Sequence, residues 1–567
     1  MSQSNRIGRR AANLLAIAAI SIAPATAATF TVNTVADTVA VSPATSPNDS
    51  TGNVSLRSAI MAANAQSGAD IIELQPGLTY RLTIAPPISD VDMHNDANGD
   101  LDIRGPLTIN GHGAVVDAAG IDRVFAIESI DDVNFVVSFN DLTITGGSPK
   151  GFERAGGGIS VRAATLNLTN CVVKGNTTLS TTAPSNGGGI AANGVGVPIA
   201  VPATLNLTSC TVFGNSANNG GGIAAANCVL TLDSSTVSTN TASGLDAGTG
   251  GGGIFLAGSI STGVVRNGSV IVGNTGSADG GGISVLASTL SVVNSSISGN
   301  TCTLNGGGVY SSAISAESLT FTASTISGNA ADKTLNSKGA GGGVFSAGSC
   351  TLVNSTVSGN KAYVGGGISG TAIVVSSTIA ANSATQGGGV SASPGTLSLS
   401  GSILGGNTAA TGPDGLGVVV SQGYNIVSNS AALVLTGVTT GNLLDVNPQI
   451  GPLAGNGGPT YTHALLSGSP AIDAGPLTGF PATDQRGVAR PQDGRNTGTP
   501  RCDMGSYEYV AAFSVADVGR ALRIAGGILT ATPNDAVRLD IAGADGRITL
   551  TDATRILRKV AGIEPNP

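Results

Sequence analysis

The sequence predicts an all-β chain, a parallel β-helix solenoid, followed by a small α-helical module at the C-terminal end. Three observations carry this reading. A short unit of alternating apolar residues recurs nine times between Gly156 and Asn407. Glycine supplies 84 of 567 residues, while charged residues make up 11% and aromatic residues 3%, a balance suited to stacked short strands with tight turns. After residue 510 the apolar residues stand three and four apart, which is helical spacing.

The first element, residues 1–27, reads as a signal peptide. Arg6, Arg9 and Arg10 precede the apolar run Ala11 to Ile22, and Ala25-Thr26-Ala27 is a small-residue cleavage pattern. Sec-type export to the cell surface or medium is the expectation. No later stretch reaches the roughly 20 apolar residues that span a bilayer, so no transmembrane segment is expected in the mature chain. The formal charge of −8 argues against a nucleic-acid partner, which calls for basic stripes.

Residues 28–150 are assigned to an N-terminal cap and the first coils. They carry five carboxylates close together, Asp90, Asp92, Asp96, Asp100 and Asp102, around Asn98-Gly99. Such a loop either holds a cation such as calcium, through Asp92, Asp96, Asp100 and Asp102, or forms a solvated acidic turn.

Residues 151–410 hold the repeat. Each copy opens with Gly-Gly-Gly followed by Ile or Val and closes with Asn176, Asn215, Asn240, Asn274, Asn300, Asn329, Asn360, Asn382 or Asn407. Three residues before each Asn stands an aliphatic residue, from Val173 to Leu404. Eight before it stands another apolar residue, a column interrupted by Arg266. One unit cannot bury its apolar face alone, whereas stacking the copies makes a continuous core. The Asn column fits left-handed turns and amides bonded along the stack. Five residues before the Asn stand Cys171 and Cys210, then serines. Strands about 4.8 Å apart lie within disulfide range, so the two cysteines are a disulfide candidate or two buried thiols.

Cleavage of a polysaccharide would need carboxylates converging on one groove. Charged residues are sparse in the repeats, and the nearest approach to a carboxylate pair is Asp246 with Asp279, each preceding a glycine triplet. The three histidines, 94, 112 and 463, lie outside the repeats. No catalytic residue is assigned.

The repeats resemble those of polymorphic outer-membrane-type proteins and related bacterial parallel β-helix proteins. Val54-Ser55-Leu56-Arg57-Ser58-Ala59-Ile60 resembles the CSLREAI motif, with Val54 and Ser58 as departures. Ser469-Pro470-Ala471-Ile472-Asp473-Ala474-Gly475, Asp484-Gln485-Arg486-Gly487, Arg490-Pro491 and Cys502-Asp503-Met504-Gly505 resemble the choice-of-anchor Q region. The resemblance implies a right-handed coil and a surface location. Residues 411–510 are accordingly assigned to the last coils and a C-terminal cap, with Asp484, Arg486, Arg490, Asp503 and Glu508 forming a buried salt-bridged lid over the last coil.

Residues 511–567 show two similar helical patterns, from Ser514 and from Thr551, which are the expected N-caps. With the acidic glycine loop between them they resemble a dockerin type I module. That resemblance implies calcium held by Asp540, Asp545 and Asp552, and a cohesin-like or surface partner. Ala542 and Ala544 stand where ligand oxygens are needed.

Together these readings point to an exported, non-catalytic adhesion or scaffold protein that presents a polar Ser/Thr/Asn face to a glycan or protein ligand and attaches through its tail. The alternative is a polysaccharide-active enzyme, a pectate-lyase-like lyase or a glycoside hydrolase. A groove gathering three or more charged side chains would favour the enzyme.

Overall fold

The computed structural model describes residues 27–87, 95–129, 133–149, 155–178, 186–195, 201–246, 249–312, 317–331, 339–393, 395–543 and 545–564. The expected signal peptide lies almost wholly outside them.

Alternation and stacking produce the same column in every coil. Val173 pairs with Val212, and the pairing continues through Val237, Ile271, Ile297, Ile326, Val357 and Ile379 to Leu404. All these pairings are parallel, and they join 38 strands into one continuous winding. The chain is a parallel β-helix. Four earlier layers extend the stack toward the N-terminus, with Phe30 on Ile72, Ile72 on Ile109, Ile109 on Phe139 and Phe139 on Leu168. One buried apolar core therefore runs from Phe30 to Leu433.

Arg266 does not interrupt that column. Its coil carries one extra residue before the turn, so Val265 takes the inward place between Leu232 and Val292. Arg266 points outward and pairs with Asp233 at 2.8 Å.

The Gly-Gly-Gly triplets have a steric cause. Gly280 takes φ +67°, and a Cβ on Gly281 or Gly282 would stand 2.4 or 2.6 Å from a carbonyl oxygen of the next coil. The closing Asn residues do not serve as left-handed turns. That conformation falls to the residue before, such as Gly273 or Gly299, and the Asn side chains point inward. Asn300 donates from Nδ2 to Ile271 O at 3.0 Å and to Asn329 Oδ1 at 2.9 Å, and its Oδ1 accepts from Asn274 N and Nδ2. This amide ladder runs from Asn176 to Asn407 and ends on Asp414 Oδ1. A second ladder uses serine hydroxyls that accept from the backbone N–H of the coil before, as Ser355 does from Ser324 at 3.3 Å, with a break where Ser269 N donates to Arg266 O instead of to Ser295. Both ladders are buried, so the expected Ser/Thr/Asn face loses its Asn and much of its Ser to the interior.

Helix α1, Leu56–Ala65, starts at Ser55, whose hydroxyl and the Ser58 side chain form a capping box. It covers the N-terminal end of the stack. The C-terminal segment carries α2, Val515–Ala525, α3, Pro533–Leu539, and α4, Leu550–Val560. Their own core contains Phe513, Val518, Ala521, Leu539 and Ile556. Ser514 caps α2 as expected, whereas α4 is capped by Thr549 rather than Thr551.

Candidate functional site

The acidic loop is clamped by arginines. Arg57, 1% exposed on α1, pairs with Asp37 at 2.6 Å. It also donates to the carbonyls of Asp96, Gly99 and Asp100 at 2.8–3.2 Å. Arg104 pairs with Asp96 at 2.6 Å and stands 3.7 Å from Asp102, while Arg123 pairs with Asp100 at 2.6 Å. The guanidinium groups of Arg57 and Arg123, which fold onto the loop from elsewhere in the chain, and of the adjacent Arg104 engage its carbonyls and carboxylates. Burial, partly offset by Arg123, pushes Asp100 up to about 7. Burial, reinforced by Asp100 and Asp96, pushes Asp102 up to about 8. Asp90 and Asp92 lie outside the described residues.

Cys171 and Cys210 are not bridged; all six cysteines are free and buried. The pair occupies the serine ladder. Cys171 N donates to Cys210 Sγ at 3.4 Å, and the Cys171 thiol donates to Phe139 O at 3.3 Å. The sulfurs thus follow the hydroxyl pattern of the column. The Cys210 contact and burial together hold the Cys171 thiol above its ordinary range.

The tail carboxylates do not converge. Asp552 is spent on capping. Its Oδ1 accepts from Ile541 N and Ala542 N at 2.8 and 2.7 Å, and its Oδ2 accepts from Thr549 N and Oγ1. Asp540 accepts from Gly546 N and Asp545 from Arg547 N. Among the described residues no three His, Cys, Asp or Glu side chains assemble as a metal site. Asp246 and Asp279 do not pair either. Gly250, not Asp246, is in register with Asp279; Asp279 is buried and accepts from Asn305 N.

The lid residues are buried as expected, with Arg486 on Asp484 at 2.8 Å and Arg490 near Glu508 at 3.5 Å. Burial raises Glu508 to about 7. Their place is different, however. The segment folds back along the flank of the solenoid instead of closing its end. Gln485 donates to Ser324 O and Thr325 Oγ1 and accepts from Thr356 Oγ1 at 2.6 Å. His463 faces Ser358 Oγ at 2.9 Å, and Ser506 N donates to Thr378 Oγ1 at 3.0 Å. The covered strands Thr356–Ser358, Thr378–Ala380 and Ile403–Gly405 are buried throughout, whereas the equivalent Thr236–Ser238, Val270–Val272 and Ser296–Ser298 keep two partly exposed residues each.

One feature escaped the sequence reading. The residue after each Gly-Gly-Gly-[Ile/Val] is small in most coils but is Phe255, Tyr310 and Phe345 in three of them. Register places these in a single column, with Ser284 between Phe255 and Tyr310. Tyr310 and Phe345 stack with centroids 5.5 Å apart at 7°, and both keep partial exposure. Burial, with Asp279 and Glu317 nearby, pushes Tyr310 up to about 12. Glu317 itself is held by Ser311 Oγ at 2.6 Å and Ala287 N at 2.6 Å. Phe255 is buried, so the partly exposed part of the column is the Tyr310–Phe345 stack, with the buried Asp279 and Glu317 nearby. The column was legible as aromatics sharing one repeat position.

The strand topology defines the class: a parallel β-helix with a helical C-terminal module. Among solved structures the chain is similar to one described as "Crystal structure of pectate lyase Pel9A", at 12% identity and a TM-score of 0.31, over 86% of this chain and 97% of that one. No protein-family model and no curated protein matches the chain, so the finer resemblances rest on the quoted residues alone.

Proposed function

We propose that the protein is an exported β-helix scaffold that binds a glycan at the stacked, partly exposed Tyr310 and Phe345 without cleaving it. The aromatic column carries this reading. Stacked aromatic surface that ends in the Tyr310 hydroxyl suits the apolar C–H faces and hydroxyl groups of a sugar. The engagement of Glu317 and Asp279 with serine and backbone donors supports binding over acid–base chemistry. The C-terminal module is the attachment element. Val515, Leu522 and Ile528 on its first half match Leu550, Leu557 and Ile563 on its second, and all six are exposed, which suits a cohesin-like protein partner.

The test is retention on a panel of plant, algal and host polysaccharides, with and without calcium, while new reducing ends and unsaturated sugars are followed. Retention that falls at least about tenfold, about 1.4 kcal/mol, in Tyr310→Ala, with no product, supports the reading. Retention unchanged in Tyr310→Ala removes the stack as the site. Product that disappears in Asp279→Asn makes the protein an enzyme.

A further inference from the structure

The first strand of the solenoid, Thr29–Thr31, starts directly after Ala28, the residue that follows the small-residue cleavage pattern Ala25-Thr26-Ala27. Its pairing with Asp70–Glu73 sets Thr29 opposite Ile71 and Phe30 opposite Ile72, and Ile71 N donates to Ala28 O at 2.8 Å. Phe30 and Val32 are buried in the core. The chain is therefore held from Ala28 onward, while Ala27 is exposed.

The same register sets Ala28 beside Asp70. Ala28 N donates to Asp70 Oδ1 at 2.7 Å. Asp70 is 1% exposed, and its Oδ2 is buried without a hydrogen-bond partner. The arginines of this end are engaged elsewhere, Arg57 with Asp37, Arg104 with Asp96 and Arg123 with Asp100. Among the described residues no cation pairs with Asp70. A buried carboxylate calls for a cation and for donors on both oxygens, and one amide N–H supplies neither the charge nor the second donor.

We propose that Asp70 is the counter-ion for the α-ammonium group that removal of the leader creates on Ala28. Hydrolysis of the Ala27–Ala28 bond by a leader peptidase adds water across it. The carboxylate departs on Ala27, and Ala28 keeps an amine whose ordinary value of about 8 leaves it protonated at neutral pH. The nitrogen already stands against Oδ1, so its added donors serve Oδ2, and the new positive charge meets the buried negative one. This rests on the reading of the protein as exported, and it goes beyond that reading by making one bond the correct place to cut. A start one residue away shifts the charge by about 3.3 Å along the strand and leaves Asp70 as it was. Cleavage thereby completes the N-terminal layer of the β-helix.

Intact mass of the exported protein gives its first residue. Full chains starting at Ala28 and at Ala27 are then compared by hydrogen exchange in residues 28–32 and 70–74. The expected result is an exported chain that begins at Ala28, and protection at least about tenfold higher for the Ala28 start than for the Ala27 start. Asp70→Asn in both chains removes that difference. If the variant misfolds, the Ala28 start acetylated on its α-nitrogen, which loses only the charge, exchanges like the Ala27 start. An exported chain beginning elsewhere overturns the export boundary on which the pair rests. Equal protection of the two starts, or a difference that survives Asp70→Asn or acetylation, overturns the ion pair itself.

Discussion

Replacing Asn300 by alanine removes one rung from the middle of the amide ladder. Asn300 Nδ2 serves Ile271 O and Asn329 Oδ1, and its Oδ1 receives Asn274 N and Nδ2, all at 2.9–3.0 Å. The variant takes the side-chain partner from the Asn274 backbone N–H and from the Ile271 carbonyl in a fully buried place, while the Asn274 amide keeps Val237 O at 3.0 Å. Each such loss costs about 1–3 kcal/mol, so the sum is about 2–6 kcal/mol, reduced where water enters the vacated volume. An effect of about 4 kcal/mol lowers hydrogen-exchange protection in residues 262–331 by roughly a thousandfold. The effect stays local, since each coil contacts only its neighbours. The control is Asn206→Ala in the part-buried outer pair Asn206–Asn167, where water replaces the lost bond and the cost stays below about 1 kcal/mol. Protection that falls less than about fivefold in Asn300→Ala, or equally in Asn206→Ala, would refute the reasoning.

Arg57→Ala breaks a buried ion pair and three carbonyl contacts, and costs about 3–5 kcal/mol in urea unfolding; a loss below about 1 kcal/mol would mean that the acidic loop does not depend on the clamp. Asp100, Asp102 and Glu508 have folded-state values raised to about 7, 8 and 7. Their contribution is therefore present below the ordinary carboxylate range and lost as pH rises to about 8, so the thermal midpoint is lower at pH 8.5 than at pH 5, and the opposite order would count against these shifts. Burial pushes Cys228, Cys302, Cys350 and Cys502 up to about 12. A thiol reagent at pH 8 leaves them unlabelled until denaturant is added, and rapid labelling of the native protein would contradict their burial.

The repeat was legible because each column recurs at short separation, and a strand's side-chain period admits only one register. The same method misplaced Arg266, since an inserted residue shifts a column counted backward from Asn274. It also gave Asn a turn role that the preceding glycine performs, because both residue types favour left-handed turns. The ion-paired burial of Asp484, Arg486, Arg490 and Glu508 was legible from their clustering, but their place along the flank was not. Gln485 meets Thr356 across 129 residues, and no local pattern encodes such a contact. Arg57 was quoted only within a motif. That it clamps the carbonyls of a loop some 40 residues later depends on how the first coils stack. The aromatic column was present in the aligned repeats, but aromatic residues at 3% of the chain were weighed as a composition and not by position.

The flank segment also bears on where this solenoid can change length. Gln485 bridges hydroxyls of two successive coils, and Ser506 reaches the next, Thr378. A coil added between Thr325 and Thr378 would move one set of partners about 4.8 Å out of reach. Among the described residues, the five coils closed by Asn176, Asn215, Asn240, Asn274 and Asn300 carry no such measuring contact. There a whole repeat can be duplicated or deleted while the seam between neighbours closes again, so growth and shrinkage of the molecule belong to that half. The half under the flank behaves as a part of set size.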